Sequence, residues 1–462
     1  MENTANKNNY SSEIKSQYNS LSLEKELDWF QKILLLRGKI TFEESSQEEE
    51  LSRIELPDLN NDPSDYANLV KKYDMGPEER VVLILSLIPH IRPSILDILN
   101  LKNQNFDIPF TEFGGMKAER HKGFLPTGET AIFLLAGTDL DKRFSLMRLF
   151  DKDHFLVKEK IIYLDRAVPG EPILSGSLQL SKEYLFLLTT GEVYKPDFDM
   201  DFPAKRITTQ QDWEDVVLSA PVNEGISEIK NWLRFGKELK NNFKFGKKIK
   251  NGFKVLFTGP PGTGKTLTAS LLGKSCAMDV YRVDLSMVVS KYIGETEKNL
   301  SKVFDMAENK NWILFFDEAD ALFGKRSQTT DSHDRYANQE VSYLLQRIED
   351  FDGLVILCSN FKNNIDEAFF RRFQLVLDFE IPDHRQRFVL WKNAITDEFQ
   401  YDHPIDLEEL SEKFELTGAG IINVLHFCTL KALERGDRLI LKEDILAGIK
   451  IEKIKQGKSI LH

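Results

Sequence analysis

The sequence has little cysteine: three residues in 462, Cys276, Cys358 and Cys428, lie far apart among apolar or small neighbours. That placement predicts buried, reduced thiols and argues against a disulfide framework or a cysteine metal site. Long apolar runs are missing too. The longest, such as "VVLILSLI" at 81–88, fall far short of a membrane span, and the opening "MENTANKNNYSSE" holds no apolar signal region. The expectation is therefore a cytoplasmic protein with no membrane partner. Positive charge is in short supply, with 61 Lys and Arg against 73 Asp and Glu, for a net charge of −12. Such a balance repels nucleic acid overall and leaves only local basic patches as candidates. None of the eight histidines begins an HExxH pair, which removes the reading as an ATP-dependent protease.

What is present is enough apolar residue, 41%, to bury large cores, in a length that suggests two or three domains. Residues 1–65 read as a polar, disordered start followed by the acidic, turn-rich linker "EESSQEEELSRIELPDLNNDPSD". Residues 66–195 read as a small mixed α/β domain: helical patterns ("PEERVVLILSLIPHI", "TGETAIFLLAG", "DKRFSLMRLF") precede the strand-like pieces "FLVKEKIIYL" and "YLFLLTTG", as in a winged helix. From 196 to 382 the pattern changes. Short apolar runs ("FKVLFTG", "VYRVDLS", "WILFFDEAD", "LVILCSN") alternate with amphipathic helices, which predicts an α/β domain with a parallel sheet covered on both faces. Residues 383–462 carry helical patterns only and predict an all-helical C-terminal domain.

The strongest motif is "GPPGTGKT" at 259–266, which follows a strand and opens a helix. Gly259, Gly262 and Gly264 let backbone amides curl around phosphate oxygens, Lys265 would bridge the β- and γ-phosphates of ATP, and Thr266 would ligate Mg²⁺. The expected nucleotide-binding stretch also takes in Pro260, Pro261, Thr263 and Leu267. Some fifty residues on, the apolar strand "ILFFDEAD" ends abruptly in carboxylates, which belong at the C-terminal edge of a parallel sheet, where ligands bind. Asp317 would hold Mg²⁺ and Glu318 would act as general base on the attacking water. The next buried strand ends in Asn360, beside the γ-phosphate if the strands are neighbours.

Together these stretches resemble the AAA+ ATPases, in the branch of the AAA proteins proper, over about residues 213–450. The resemblance implies a P-loop α/β domain with a helical lid, Mg²⁺-dependent ATP hydrolysis and a homo-hexameric ring working on a protein partner. It places Walker A on Gly259 to Thr266, Walker B on Asp317 and Glu318, and sensor 1 on Asn360. Arg371 and Arg372 take the place of the arginine fingers, which would act on a neighbouring subunit's nucleotide. Gly418 and Ala419 in "LTGAGI" look like the small pair that packs on adenine and ribose. Tyr292, Ile293 and Gly294 in "KYIGE" look like the aromatic–hydrophobic–glycine pore loop that grips polypeptide. The chain departs from the family where Asp215-Val216-Val217-Leu218 replaces the usual glycine-containing adenine segment, and where no Pro-Gly separates the two arginines. The stretches "SKYIGETEKNLSKVFD" and "NNIDEAFFRRF" are similar to the ATPases encoded with bacterial phage-tail-like contractile injection systems. The competing function is a nucleic-acid motor or loader, supported by "KELKNNFKFGKKIKNGFK" at 237–254, with seven lysines against one glutamate. Its plainer reading is a solvated helix and loop in an acidic protein.

Overall fold

The computed structural model describes residues 2–43, 53–103, 108–165, 170–196, 198, 202–250, 252–285, 295–308, 310–320, 342–360, 370–395, 398–402 and 406–455; residues 44–52 of the expected acidic linker lie outside them, and the polar start expected to be disordered is helical. It forms one long helix, α1 (Glu2–Glu43). Leu23, Leu27, Phe30 and Leu34, spaced three or four apart, share one face of α1 and are all buried in the core of residues 1–195. The polar start concealed this because the apolar stripe begins only in the helix's second half. A carboxylate lies on the same face: Glu26 is fully buried and pairs with the buried Arg80.

Arg80 belongs to the helix Pro77–Ile91, which starts at a proline in its first turn and is buried without interruption from Arg80 to Ile88. A helix buried on every side lies at the centre of its unit, and this one does so with its single buried charge, Arg80, paired to Glu26. The expected strand "YLFLLTTG" is instead the helix Lys182–Thr189, because Ser181 caps it by accepting from the Tyr184 amide and Leu188 is buried. Only the end of "FLVKEKIIYL" is extended: Ile162–Leu164 pairs antiparallel with Leu178–Leu180.

Residues 196–462 form a second compact unit built on one six-stranded sheet. Its strands are β1 (Ala204–Ile207), β2 (Phe253–Thr258), β3 (Asp279–Asp284), β4 (Trp312–Asp317), β5 (Leu354–Ser359) and β6 (Leu375–Asp378). Their order across the sheet is β6-β2-β5-β4-β3-β1; every pairing is parallel except that of the edge strand β1 with β3. Side chains alternate between two cores. Val255, Phe257, Phe315 and Ile356 meet α2 (Ala220–Asn242) and α3 (Lys265–Cys276) on one face, while Leu256, Phe316 and Leu357 meet α4 (Glu295–Ala307) on the other. Because β2, β4, β5 and β6 run parallel, their carboxyl ends open onto one edge of the sheet.

The carboxyl-terminal part contains α5 (His384–Ala394), α6 (Leu407–Lys413), α7 (Gly418–Arg435) and α8 (Lys442–Lys455) around the fully buried Trp391. It departs from the all-helical expectation by one short pair, Gln400–Tyr401 parallel to Leu439–Ile440.

Candidate active site

At the sheet's carboxyl edge, β2 passes directly into the turn before α3. Three backbone positions there demand glycine. Gly259, Gly262 and Gly264 have φ of +136°, +80° and +99°, which side chains rarely tolerate. Close approach adds to the requirement: a Cβ on Gly259 would lie 2.1 Å from the Phe379 carbonyl oxygen, and one on Gly262 would lie 2.9 Å from Thr417 Oγ1 and 3.0 Å from Ala419 Cβ. The Gly262 contacts bring the helical part to the turn, and the Ala419 amide donates to the Gly262 carbonyl at 3.2 Å. Thr417, which sequence reading passed over, caps α7 by accepting from the Gly420 amide.

The turn borders a cavity of about 550 Å³. Pro261 to Leu267 line it, as do Asp317, Glu318, Asn360, Gly418 and Ala419, so the structure gathers these predicted residues at one place. Asp215 to Ser219 line it as well, so the stretch that departs from the family pattern still faces the cavity. Residues of α5, including Gln386 and Leu390, complete the wall; no short motif marked them in the sequence. Arg371 and Arg372 are not part of that wall. Arg371 is exposed, and Arg372 forms an ion pair with Glu349 at 3.1 Å. Tyr292, Ile293 and Gly294 lie outside the described residues.

Lys265 is 6% exposed, and its ammonium donates to the carbonyls of Gly259 and Pro260 in its own turn. Burial lowers its pKa, against the pull of nearby Asp317 and Asp320. Behind it Cys358, at the end of β5, is buried, which pushes its thiol up to about 12 and leaves it inert.

The end of β4 is held by contacts within its own turn and from the neighbouring strand. Asp317 Oδ1 accepts from the Glu318 amide at 3.0 Å, and Oδ2 lies 3.1 Å from Arg282 Nε on β3. Glu318 is exposed and adopts φ +53°, a left-handed backbone that is strained for a non-glycine residue. Asp320 holds the neighbouring strand end in register: its carboxylate accepts from the Ser359 hydroxyl and from the Asn360 amide, at 3.1 Å to Oδ2. Sequence reading missed both Arg282 and Asp320. The third carboxylate of "DEAD" was a visible signal for Asp320, whereas Arg282 is 35 positions from its partner and carried none.

The donor set suits a hard cation that keeps most of its own water. Thr266 and Asp317 offer one hydroxyl and one carboxylate to the cavity, and among the described residues no cluster of three His, Cys, Asp or Glu could form a protein cage. Mg²⁺ held partly by phosphate oxygens and water needs no more than that. The lysine-rich stretch is partly consumed by the fold: Lys240 pairs with Asp352, and Lys254 is 2% exposed and donates to the Phe351 carbonyl.

Residues 255–381 match the family described as "ATPase family associated with various cellular activities (AAA)". The chain is similar to the peroxisomal ATPase PEX6 of Saccharomyces cerevisiae, 34% identical over 198 residues that make up 41% of this chain and 19% of that protein. A 26S proteasome regulatory subunit 6B homolog of Dictyostelium discoideum is 32% identical over 204 residues, 42% of this chain and 50% of its own length. The AAA family ATPase y4kL of Sinorhizobium fredii is 33% identical over 191 residues, 41% of this chain and 55% of its own length. The chain thus spans between 19% and 55% of the length of these three relatives. Residues 255–381 are an AAA ATPase domain within a longer chain.

Proposed function

We propose that this chain hydrolyses ATP with Mg²⁺ in an oligomeric ring and uses the energy to remodel, assemble or disassemble a protein partner. One observation carries the reading. The glycine turn with buried Lys265, the two carboxylates Asp317 and Glu318, and Asn360 all open onto a single cavity that the helical part also borders. In this reading the amides of the turn and Lys265 hold the phosphates, and Thr266 and Asp317 hold the metal, which when bound neutralises charge on the β- and γ-phosphates. Glu318 takes the proton of the attacking water, and Asn360 orients that water. Gly418 and Ala419 pack against the base and ribose.

Arg371 and Arg372 stand away from their own chain's cavity, which supports a role on a neighbouring copy's nucleotide in a homo-hexamer. Tyr292, Ile293 and Gly294 are the proposed grip on the polypeptide, and the similarity of the flanking stretches supports a link to a contractile injection system in the cytoplasm. Phosphate release by the purified chain, with and without Mg²⁺, tests the hydrolysis. Mixing an Arg371→Ala/Arg372→Ala double variant with Glu318→Gln protein tests the ring. Each variant alone should be inactive, and mixed assemblies should recover turnover at interfaces where one copy supplies the arginines and the other the base. Mixed rings that form but stay inactive would exclude the trans role.

A further inference from the structure

We infer that Arg282 is a positioning residue for the metal site: a guanidinium latch that holds the Asp317 carboxylate and that the cation must displace. The inference rests on the nucleotide-and-Mg²⁺ reading of the cavity given above. Both oxygens of Asp317 already have partners within the protein, the Glu318 amide on Oδ1 and Arg282 Nε on Oδ2. The two partners differ in kind. The amide belongs to the same turn and cannot leave, whereas Arg282 reaches across from β3, the neighbouring strand.

Burial decides which interaction can yield. The Asp317 side chain is 16% exposed, and the Arg282 side chain is 40% exposed. Guanidinium that is already partly hydrated can swing into water at small cost, while a largely buried carboxylate cannot follow it. Lys265 cannot act as this latch, because it is 6% exposed and anchored to the carbonyls of Gly259 and Pro260. The other carboxylate close by, Asp320, is engaged with Ser359 and Asn360, and Glu318 is exposed on the strained turn. Asp317 is therefore the carboxylate for which a cation and Arg282 compete. While Arg282 holds it, its negative charge is offset and its orientation set. When a cation arrives, the guanidinium is released to solvent, so the metal's apparent affinity is lowered by the strength of the pair it replaces.

The test is a Mg²⁺ titration of the binding of a fluorescent, non-hydrolysable ATP analogue to the full chain, so that turnover plays no part in the readout. In Arg282→Gln the Mg²⁺ concentration giving half-maximal binding should fall about threefold to fivefold, the size expected of a partly exposed ion pair. Arg282→Lys, which keeps the charge, should stay within about twofold of the unaltered chain. In an Asp317→Asn background the Arg282→Gln shift should vanish, since the partner is gone. Arg282→Met removes the charge equally and serves if the glutamine variant does not fold. An unchanged or raised Mg²⁺ requirement in the charge-removing variants would overturn the latch, as would a shift that persists with Asn at 317. If the unaltered chain binds the analogue with no dependence on Mg²⁺, the reading of the cavity fails instead.

Discussion

Two arginine–carboxylate pairs in this molecule show how burial alone can give the same chemistry opposite meanings. Arg80 and Glu26 meet in the interior of residues 1–195, with side chains 5% and 0% exposed. Arg80 also lies over the Trp29 ring at 5.5 Å and donates to the Pro57 carbonyl at 3.1 Å. Burial raises the Glu26 pKa in spite of the guanidinium beside it, and it raises that of the neighbouring Tyr66 hydroxyl as well. Neither partner can leave without stranding a charge in the core, so the pair fixes how α1 and the helix Pro77–Ile91 pack. Asp317 lines the cavity and is 16% exposed, while its partner Arg282 is 40% exposed, so one partner can return to water. A buried pair specifies a fold, whereas a half-exposed pair leaves its carboxylate available to a ligand.

That contrast predicts that changes at the cavity rim will damage chemistry while sparing the fold, and that changes in the first unit will do the reverse. The largest effect is expected from Glu318→Gln. It should lower phosphate release about 10²- to 10⁴-fold, the usual contribution of a positioned general base, while analogue binding persists. Because Glu318 is exposed, the melting profile should not move; a lost fold would break the contrast. Next comes Glu26→Ala, which leaves Arg80 charged and buried. It should destabilise the first unit by about 3–5 kcal/mol, followed by the fluorescence of Trp29 in urea.

A smaller effect is expected where fold and site share one residue. Gly262→Ala must adopt φ +80° and press a methyl against Thr417 and Ala419, costing about 1–3 kcal/mol. Calorimetry of analogue binding should show that loss as weaker affinity, because the strain falls on the turn that contacts α7. The smallest effect is in pH dependence. Burial lowers the Lys254 pKa to about 8, so between pH 8 and its ordinary value near 10.5 the unfolded chain holds a proton that the folded chain has lost. Stability of the second unit should therefore gain about 1 kcal/mol per pH unit from this group as pH rises above 8. Cys358 and Cys428, both pushed up to about 12 by burial, act in the opposite direction above pH 9. Urea midpoints at pH 8 and 9 should rise in the unaltered chain and lose that increment in Lys254→Met.

The sequence by itself determined the turn at 259–266, the carboxylates that end β4 and the alternation of strands and helices, because each is a local demand. Glycine is required where φ is positive, and an apolar run that stops at aspartate must reach an edge of its sheet. Only tertiary structure decided the rest. α1 carries a polar start and an apolar second half, so its membership of a core depended on the helix Pro77–Ile91 being there to cover it. The strand-like "YLFLLTTG" became a helix because Ser181 caps it and burial of Leu188 rewards it, a choice that β-propensity could not settle. Arg282 and Asp317 lie 35 positions apart in the chain and meet because β3 and β4 are parallel neighbours. Short motifs record what the backbone must do locally; which distant charges face each other is fixed by strand order, and no local stretch of sequence encodes that.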